Sequence, residues 1–174
     1  MKNRSISLVE VLPVAALVAV AAMSRLLPHI PNVTPIAAMA LFAGAHLSDR
    51  RVSLLLVLGA MFLSDLFIGF DPTSPFVYFA LGLTVLLGGT ITGGAASVGS
   101  RSLIGSGTFF LITNFGVWMV QSLYPKTFEG LLLCYTAAIP FFRNAVVGDL
   151  IYTAALFGIF ALLTNRRPSS VRVA

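Results

Sequence analysis

The chain has 174 residues, of which 57% are hydrophobic and 10% charged, with a formal net charge of +5 and a mean hydropathy of +0.95. A soluble domain carries roughly a quarter charged residues, so the composition excludes that class and describes an all-α integral membrane protein forming a single transmembrane domain, 1–174. The positive balance then reports topology rather than a nucleic-acid partner, and the lone cysteine, Cys134, excludes an intramolecular disulfide and a cysteine-cluster metal centre.

In chain order, a short polar lead carrying Lys2 and Arg4 is followed by a first span, about 8–27, with Glu10 and Pro13 near its start. Ala19-Val20-Ala21 resembles a signal-peptide cleavage site, but the apolar run continues past it at helix-spanning length. Ala15 and Ala19, with Ala16 and Ala22 beside them, make a small-residue face. Such a face lets another helix approach closely, either within the bundle or on a partner protein. Pro28, Pro31 and Pro35 punctuate a loop, because each disfavours helix in the residue before it. A short second span, 36–47, ends at the charged turn Ser48 to Arg51. The third, 52–70, carries Asp65 and stops at the tight loop Asp71 to Pro75. The fourth, 76–97, is glycine-rich, with Gly89 and Gly93 at the spacing of a close helix crossing. Gly99 to Ser106 reads as a polar turn, and the fifth span, 108–124, carries Asn114, Trp118 and Gln121. The run Leu131 to Ile139 is too short to cross a bilayer. It is expected as a re-entrant or interfacial segment ahead of Pro140 and of the sixth span, 144–163. A basic tail closes the chain.

Six spans put both termini on one side. That side holds Lys2, Arg4, Arg50, Arg51, Arg101, Arg166, Arg167 and Arg172, against Arg25, Lys126 and Arg143 on the other, 8 to 3. The positive-inside rule makes both termini cytoplasmic and the protein a multi-pass component of the cell's inner membrane. Arg25, Asp65, Asn114, Trp118, Arg143, Asn144, Asp149 and the loop bearing His29, Asn32 and Thr34 then all fall in the outer half. Lipid offers no partner to such groups, so they face each other or a cavity.

The expected site is therefore an outward-facing polar pocket lined by Asn32, Asp65, Asn114, Trp118, Arg143, Asn144 and Asp149. Aromatic walls come from Tyr78, Phe79, Trp118, Tyr124 and Tyr135, with Pro28 to Pro35 as a lid. Arg143 is expected to pair with Asp149 or Asp65, since an unpaired arginine in lipid costs several kcal/mol. His29 and His46 fall on opposite sides, so neither a metal nor a cofactor is expected. Cys134 could serve as a soft ligand to a metal-bearing substrate, or simply pack. Asp65 and Gly148-Asp149 are similar to the paired aspartates of intramembrane aspartyl proteases, although the flanks differ and nearby arginines would quench such a dyad. The chain is accordingly read as a non-enzyme. An intramembrane hydrolase using Asp65 and Asp149 is one alternative, and a structural membrane protein without a small-molecule ligand is another.

Three stretches resemble an uncharacterised family of small six-span proteins assigned to transport: Pro31 to Phe42 (PNVTPIAAMALF), Thr113 to Trp118 (TNFGVW), and Ala138 to Asn144 (AIPFFRN) with Gly148-Asp149. More broadly, six short spans with an outward pocket resemble the substrate-binding S component of energy-coupling-factor vitamin transporters. That resemblance implies a vitamin-like micronutrient bound near the outer face. It also implies a docking face at Ala15 and Ala19 for a membrane coupling subunit driven by cytoplasmic ATPases. The chain has no phosphate-binding loop of its own, so it cannot hydrolyse ATP by that route.

Overall fold

A computed structural model describes residues 8–24 and 33–165. Among them are six helices and no strand: α1 Leu8–Ser24, α2 Ile36–His46, α3 Arg50–Ile68, α4 Ser74–Gly88, α5 Ala95–Val120 and α6 Phe128–Asn165. Local chemistry sets several of the boundaries. Asp49 caps α3 by accepting from the Arg51 N–H at 2.8 Å, which satisfies one of the orphan donors of a helix start. Gly69 ends α3 at φ 102°, a conformation that favours glycine. Asp71 then accepts from the Thr73 N–H at 2.8 Å and from its hydroxyl at 2.5 Å, and Pro75 fits the first turn of α4, where its missing N–H is no loss.

The shortest helix is the centre of the molecule. Every residue of α2 from Ala37 to Gly44 is buried, and α2 touches each of the other five helices. A helix apolar all round belongs in a protein core or in lipid, and here the other helices surround it. Phe42, Met39 and Leu41 fill the core together with Val14 and Val18 of α1, Val57 and Met61 of α3, and Leu81 and Val85 of α4. At 11 residues, α2 is only about 16 Å long against a hydrocarbon core of about 30 Å.

The contact between α2 and α4 is backbone against backbone. A Cβ on Gly44 would overlap the Val85 carbonyl, and one on Gly88 would overlap the Leu41 carbonyl. The close crossing is thus made by Gly88, not by the expected pair Gly89 and Gly93. Gly93 instead sits at φ 95°, in the turn between α4 and α5.

Two further expectations are corrected. The stretch Gly99 to Ser106 is not a turn but the first half of α5. Its hydroxyls do not break the helix: Ser100 donates to the Ser97 carbonyl at 3.0 Å, and Ser106 lies 3.0 Å from the Ser102 carbonyl while reaching across to α6. The segment Leu131 to Ile139 is not a separate re-entrant or interfacial piece but part of α6, which runs on through Pro140 for 38 residues. Proline removes one hydrogen bond to the preceding turn, and helices in apolar surroundings tolerate that loss where neighbouring helices and local adjustments re-satisfy the freed carbonyl.

Helices α3, α5 and α6 are long and apolar enough to cross a membrane. Their outer faces carry large apolar side chains, including Leu55 at 75% and Phe67 at 81% exposure. Contiguous exposed apolar area on this scale marks a surface meant for something other than water.

A cavity between α5 and α6

Helices α5 and α6 pack antiparallel along a polar seam. Ser102 meets Thr153 at 3.2 Å between hydroxyls, and Ser106 donates to Asp149 Oδ2 at 2.6 Å. Further along, Tyr135 donates to the Leu111 carbonyl at 2.7 Å and the Cys134 thiol to the Asn114 carbonyl at 3.4 Å. Cys134 is buried and its sulfur is occupied in this bond, so it reads as packing. Between the two ends of the seam the helices part around a cavity of about 440 Å³.

Helix α5 contributes Ser106, Phe109, Phe110, Thr113, Asn114 and Val117 to its wall, and α6 contributes Ala138, Phe141, Phe142, Ala145 and Asp149. Thr34, Ile36 and Ala37 close a third side, and Val77 of α4 completes the lining. Gly148 lets this third side approach, since a Cβ there would lie 3.1 Å from Val33 Cα. Phe110 and Phe142, both on the wall, meet between the helices with ring centroids 4.5 Å apart and planes tilted by 37°.

Asp149 is 6% exposed. Its Oδ2 takes the Ser106 hydroxyl, and its Oδ1 accepts no hydrogen bond among the described residues. Among the described residues no sealed side-chain oxygen or nitrogen lacks a partner, so Oδ1 must open onto the cavity that Asp149 lines. Asn114 donates Nδ2 to the Phe110 carbonyl at 2.8 Å, which leaves Oδ1 of the amide available to a guest. Thr113 is likewise tied back, donating to the Phe109 carbonyl at 2.8 Å.

Of the described residues expected at the site, Asn114 and Asp149 stand on this wall, and Asp65, Trp118, Arg143 and Asn144 do not. Asp65 is buried elsewhere, accepting from the Tyr78 hydroxyl at 2.6 Å. Trp118 donates its indole N–H to the Pro125 carbonyl at 2.9 Å and is overlain by Lys126 at 5.8 Å. Lys126 also donates to the Trp118 carbonyl and to that of Gln121 at 2.6 Å, closing the C-terminus of α5. Asn144 and Arg143 are exposed on α6. Arg143 forms no ion pair with Asp149 or Asp65 among the described residues: it stands at an exposed position of α6, whereas both acids are buried. Asn32, Arg25 and the loop 28–32 lie outside the described residues; Thr34, from the same expected lid, does line the cavity. On α1, Ala15 is half-buried and Ala19 exposed, while Ala22 turns into the core.

The expected aromatic wall is also corrected. Tyr78, Phe79, Trp118, Tyr124 and Tyr135 are not on it; Phe109, Phe110, Phe141 and Phe142 are. Sequence reading missed these and Ser106. One signal was present: Ser102 and Ser106 are four apart, as are Asp149 and Thr153, and such spacing puts each pair on one helix face.

No curated protein and no solved structure matches the chain. A family model does match, over residues 6–171, nearly the whole of the sequence. The chain belongs to the family of unknown function DUF6580.

Proposed function

We propose that this protein is a multi-pass membrane component that binds a small molecule for uptake, its ligand held in the cavity between α5 and α6. The observation that carries this reading is the cavity itself. It has the size of a small-molecule site, about 440 Å³, and mostly apolar and aromatic walls, with Asp149, Asn114 and Ser106 as convergent polar groups. A vitamin-like micronutrient fits that volume, and the resemblance to transporter S components supplies the same class of ligand.

The six helices are read as six spans, with α2 enclosed by the other five and too short to cross by itself, so that its flanking loops complete the crossing. The basic residues divide 8 to 3, which favours cytoplasmic termini in an inner membrane. In that orientation α5 runs outward, and the cavity lies between mid-membrane at Ser106 and the outer side at Val117. The exposed Ala19, beside half-buried Ala15, is the docking face for a membrane coupling subunit. The hydrolase alternative gains no support, since a shared-proton dyad needs two carboxylates in one cavity and Asp65 is not on this wall.

The test is mass spectrometry of small molecules that co-purify with the detergent-solubilised chain. The wild type should carry a compound that folded Asn114→Ala has lost. Lipid alone in both preparations would reject the reading in favour of a purely structural membrane protein.

A further inference from the structure

A carboxylate placed in an apolar cavity is stable only if something compensates its charge. Among the described residues the wall offers one acid, Asp149, and no lysine, arginine or histidine. Ser106 supplies a single neutral hydrogen bond to Oδ2, while Oδ1 is open to the cavity. The N-terminus of α2 contributes Ile36 and Ala37 to the wall, an electropositive end worth roughly half a charge. Yet none of its N–H groups donates to Asp149 among the described residues. The charge of Asp149 is therefore under-compensated from within the described protein.

The rest of the wall suits a cation with an apolar body. Phe109, Phe110, Phe141 and Phe142 present four rings to one cavity, and ring faces attract ammonium groups most strongly where water is excluded. Asn114 Oδ1 and the Ser106 oxygen add neutral acceptors. We infer that the ligand of this cavity is a small amphipathic amine, its protonated nitrogen seated on Asp149 Oδ1 and its apolar part among the phenylalanines. This rests on the reading of the cavity as a ligand site and narrows it to a charge class.

Three probes that share one body separate the possibilities: 4-phenylbutylamine, 4-phenylbutan-1-ol and 4-phenylbutyrate. Each is titrated calorimetrically into the full-length chain in detergent at neutral pH, with empty micelles as the blank. The amine is expected to bind at least about tenfold more tightly than the alcohol, as a desolvated cation–carboxylate contact with aromatic support allows, and the butyrate not at all. Folded Asp149→Asn should lose that preference while still binding the alcohol. If the variant does not fold, the ranking on the wild type decides alone. An alcohol that binds as well as the amine means a neutral Asp149, and overturns the charge class while leaving a ligand site in place. Tightest binding of the butyrate does the same. An amine preference that survives in folded Asp149→Asn overturns the assignment to Asp149. No binding of any probe above the blank, with only lipid co-purifying, removes both the charge class and the ligand site.

Discussion

Ser106 on α5 donates its hydroxyl to Asp149 on α6 across 2.6 Å, and this bond, with both partners buried, joins the two helices where the cavity begins. One turn away on each helix, Ser102 and Thr153 repeat the contact at 3.2 Å. The two contacts differ in kind. The first holds an acid with a free oxygen; the second pairs two neutral hydroxyls that need nothing else.

That difference is measurable. Ser102→Ala or Thr153→Val alone leaves one buried hydroxyl without its cross-helix partner and should destabilise by about 1 kcal/mol. The double variant removes both groups and should fall back near wild type, a coupling a double-mutant cycle reads directly. Ser106→Ala strips the one donor that the described residues give a buried carboxyl and should destabilise by about 1–3 kcal/mol, with no neutral rescue from α6 short of changing Asp149 as well. Thermal unfolding in one detergent, followed by far-ultraviolet circular dichroism, ranks the four variants. Equal losses for Ser106→Ala and Ser102→Ala would mean that the two contacts are equivalent after all.

The glycine crossing at the centre makes a sharper case. Gly44→Ala and Gly88→Ala each drive a methyl into a carbonyl of the facing helix, and backbone cannot swing aside as a side chain can. Overpacking of this kind is expected to destabilise by about 1–3 kcal/mol or more, and here it would move α4 off the core helix. Gly59 in α3 is the control, with nothing within 4 Å of its would-be Cβ. Gly59→Ala should be neutral or stabilising by up to about 1 kcal/mol through helix propensity. Similar melting temperatures for Gly88→Ala and Gly59→Ala would show that α2 and α4 are not so closely packed.

The turn before α4 predicts a pH dependence. The Thr73 hydroxyl and then its N–H hold the Asp71 carboxyl below the usual carboxylate range. A depressed folded value means that the charged form is favoured by folding. Its small contribution is complete above the unfolded value, about 3.9, and is lost as pH falls through the lower folded one. Asp71→Asn should therefore melt below wild type at pH 7, and the gap should narrow in acid below about pH 4. A gap that stays constant to pH 2 would detach the turn from this titration. The site is solvent-exposed, so the effect is modest and screened by salt.

Much of this architecture was legible where the chain carries punctuation. Asp49, Gly69 and the Asp71–Pro75 turn mark the ends of α3 and the start of α4, because capping and turn chemistry act through the residue itself. Asn114 and Asp149 stood out on the same logic, as polar groups in apolar runs. The start of α5 did not, because serine signals a turn when its hydroxyl bonds locally and is silent when that hydroxyl bonds back to the helix or across to a neighbour. Pro140 misled in the same way, its cost being offset by surroundings that sequence does not display. The phenylalanine wall was illegible in principle: a phenylalanine facing a cavity and one facing lipid look alike until the helices α5 and α6 are seen to part. The pairing of Arg143 failed for another reason. Spacing placed it and the acids in one layer, but position 143 falls on an exposed face of α6 while Asp65 and Asp149 turn inward.

The outer face of α1 gives the last prediction. Leu12, Ala16, Ala19 and Met23 form an exposed stripe, opposite the buried Val14, Val18, Ala21 and Ala22. Within it Ala16 and Ala19 are the small residues, and small residues on an exposed face let another helix approach its backbone. Ala19→Leu adds bulk at an exposed position where no described residue packs, so folding and probe binding in detergent should match wild type. In cells the same change should reduce uptake, because a coupling subunit docked there would be held off. Ala15 is half-buried, so Ala15→Leu should cost some stability in addition, and the two variants together distinguish a docking face from an internal contact. Full uptake by a folded Ala19→Leu protein would remove α1 as the docking surface, and lost probe binding would show that its exposed stripe packs against the bundle after all.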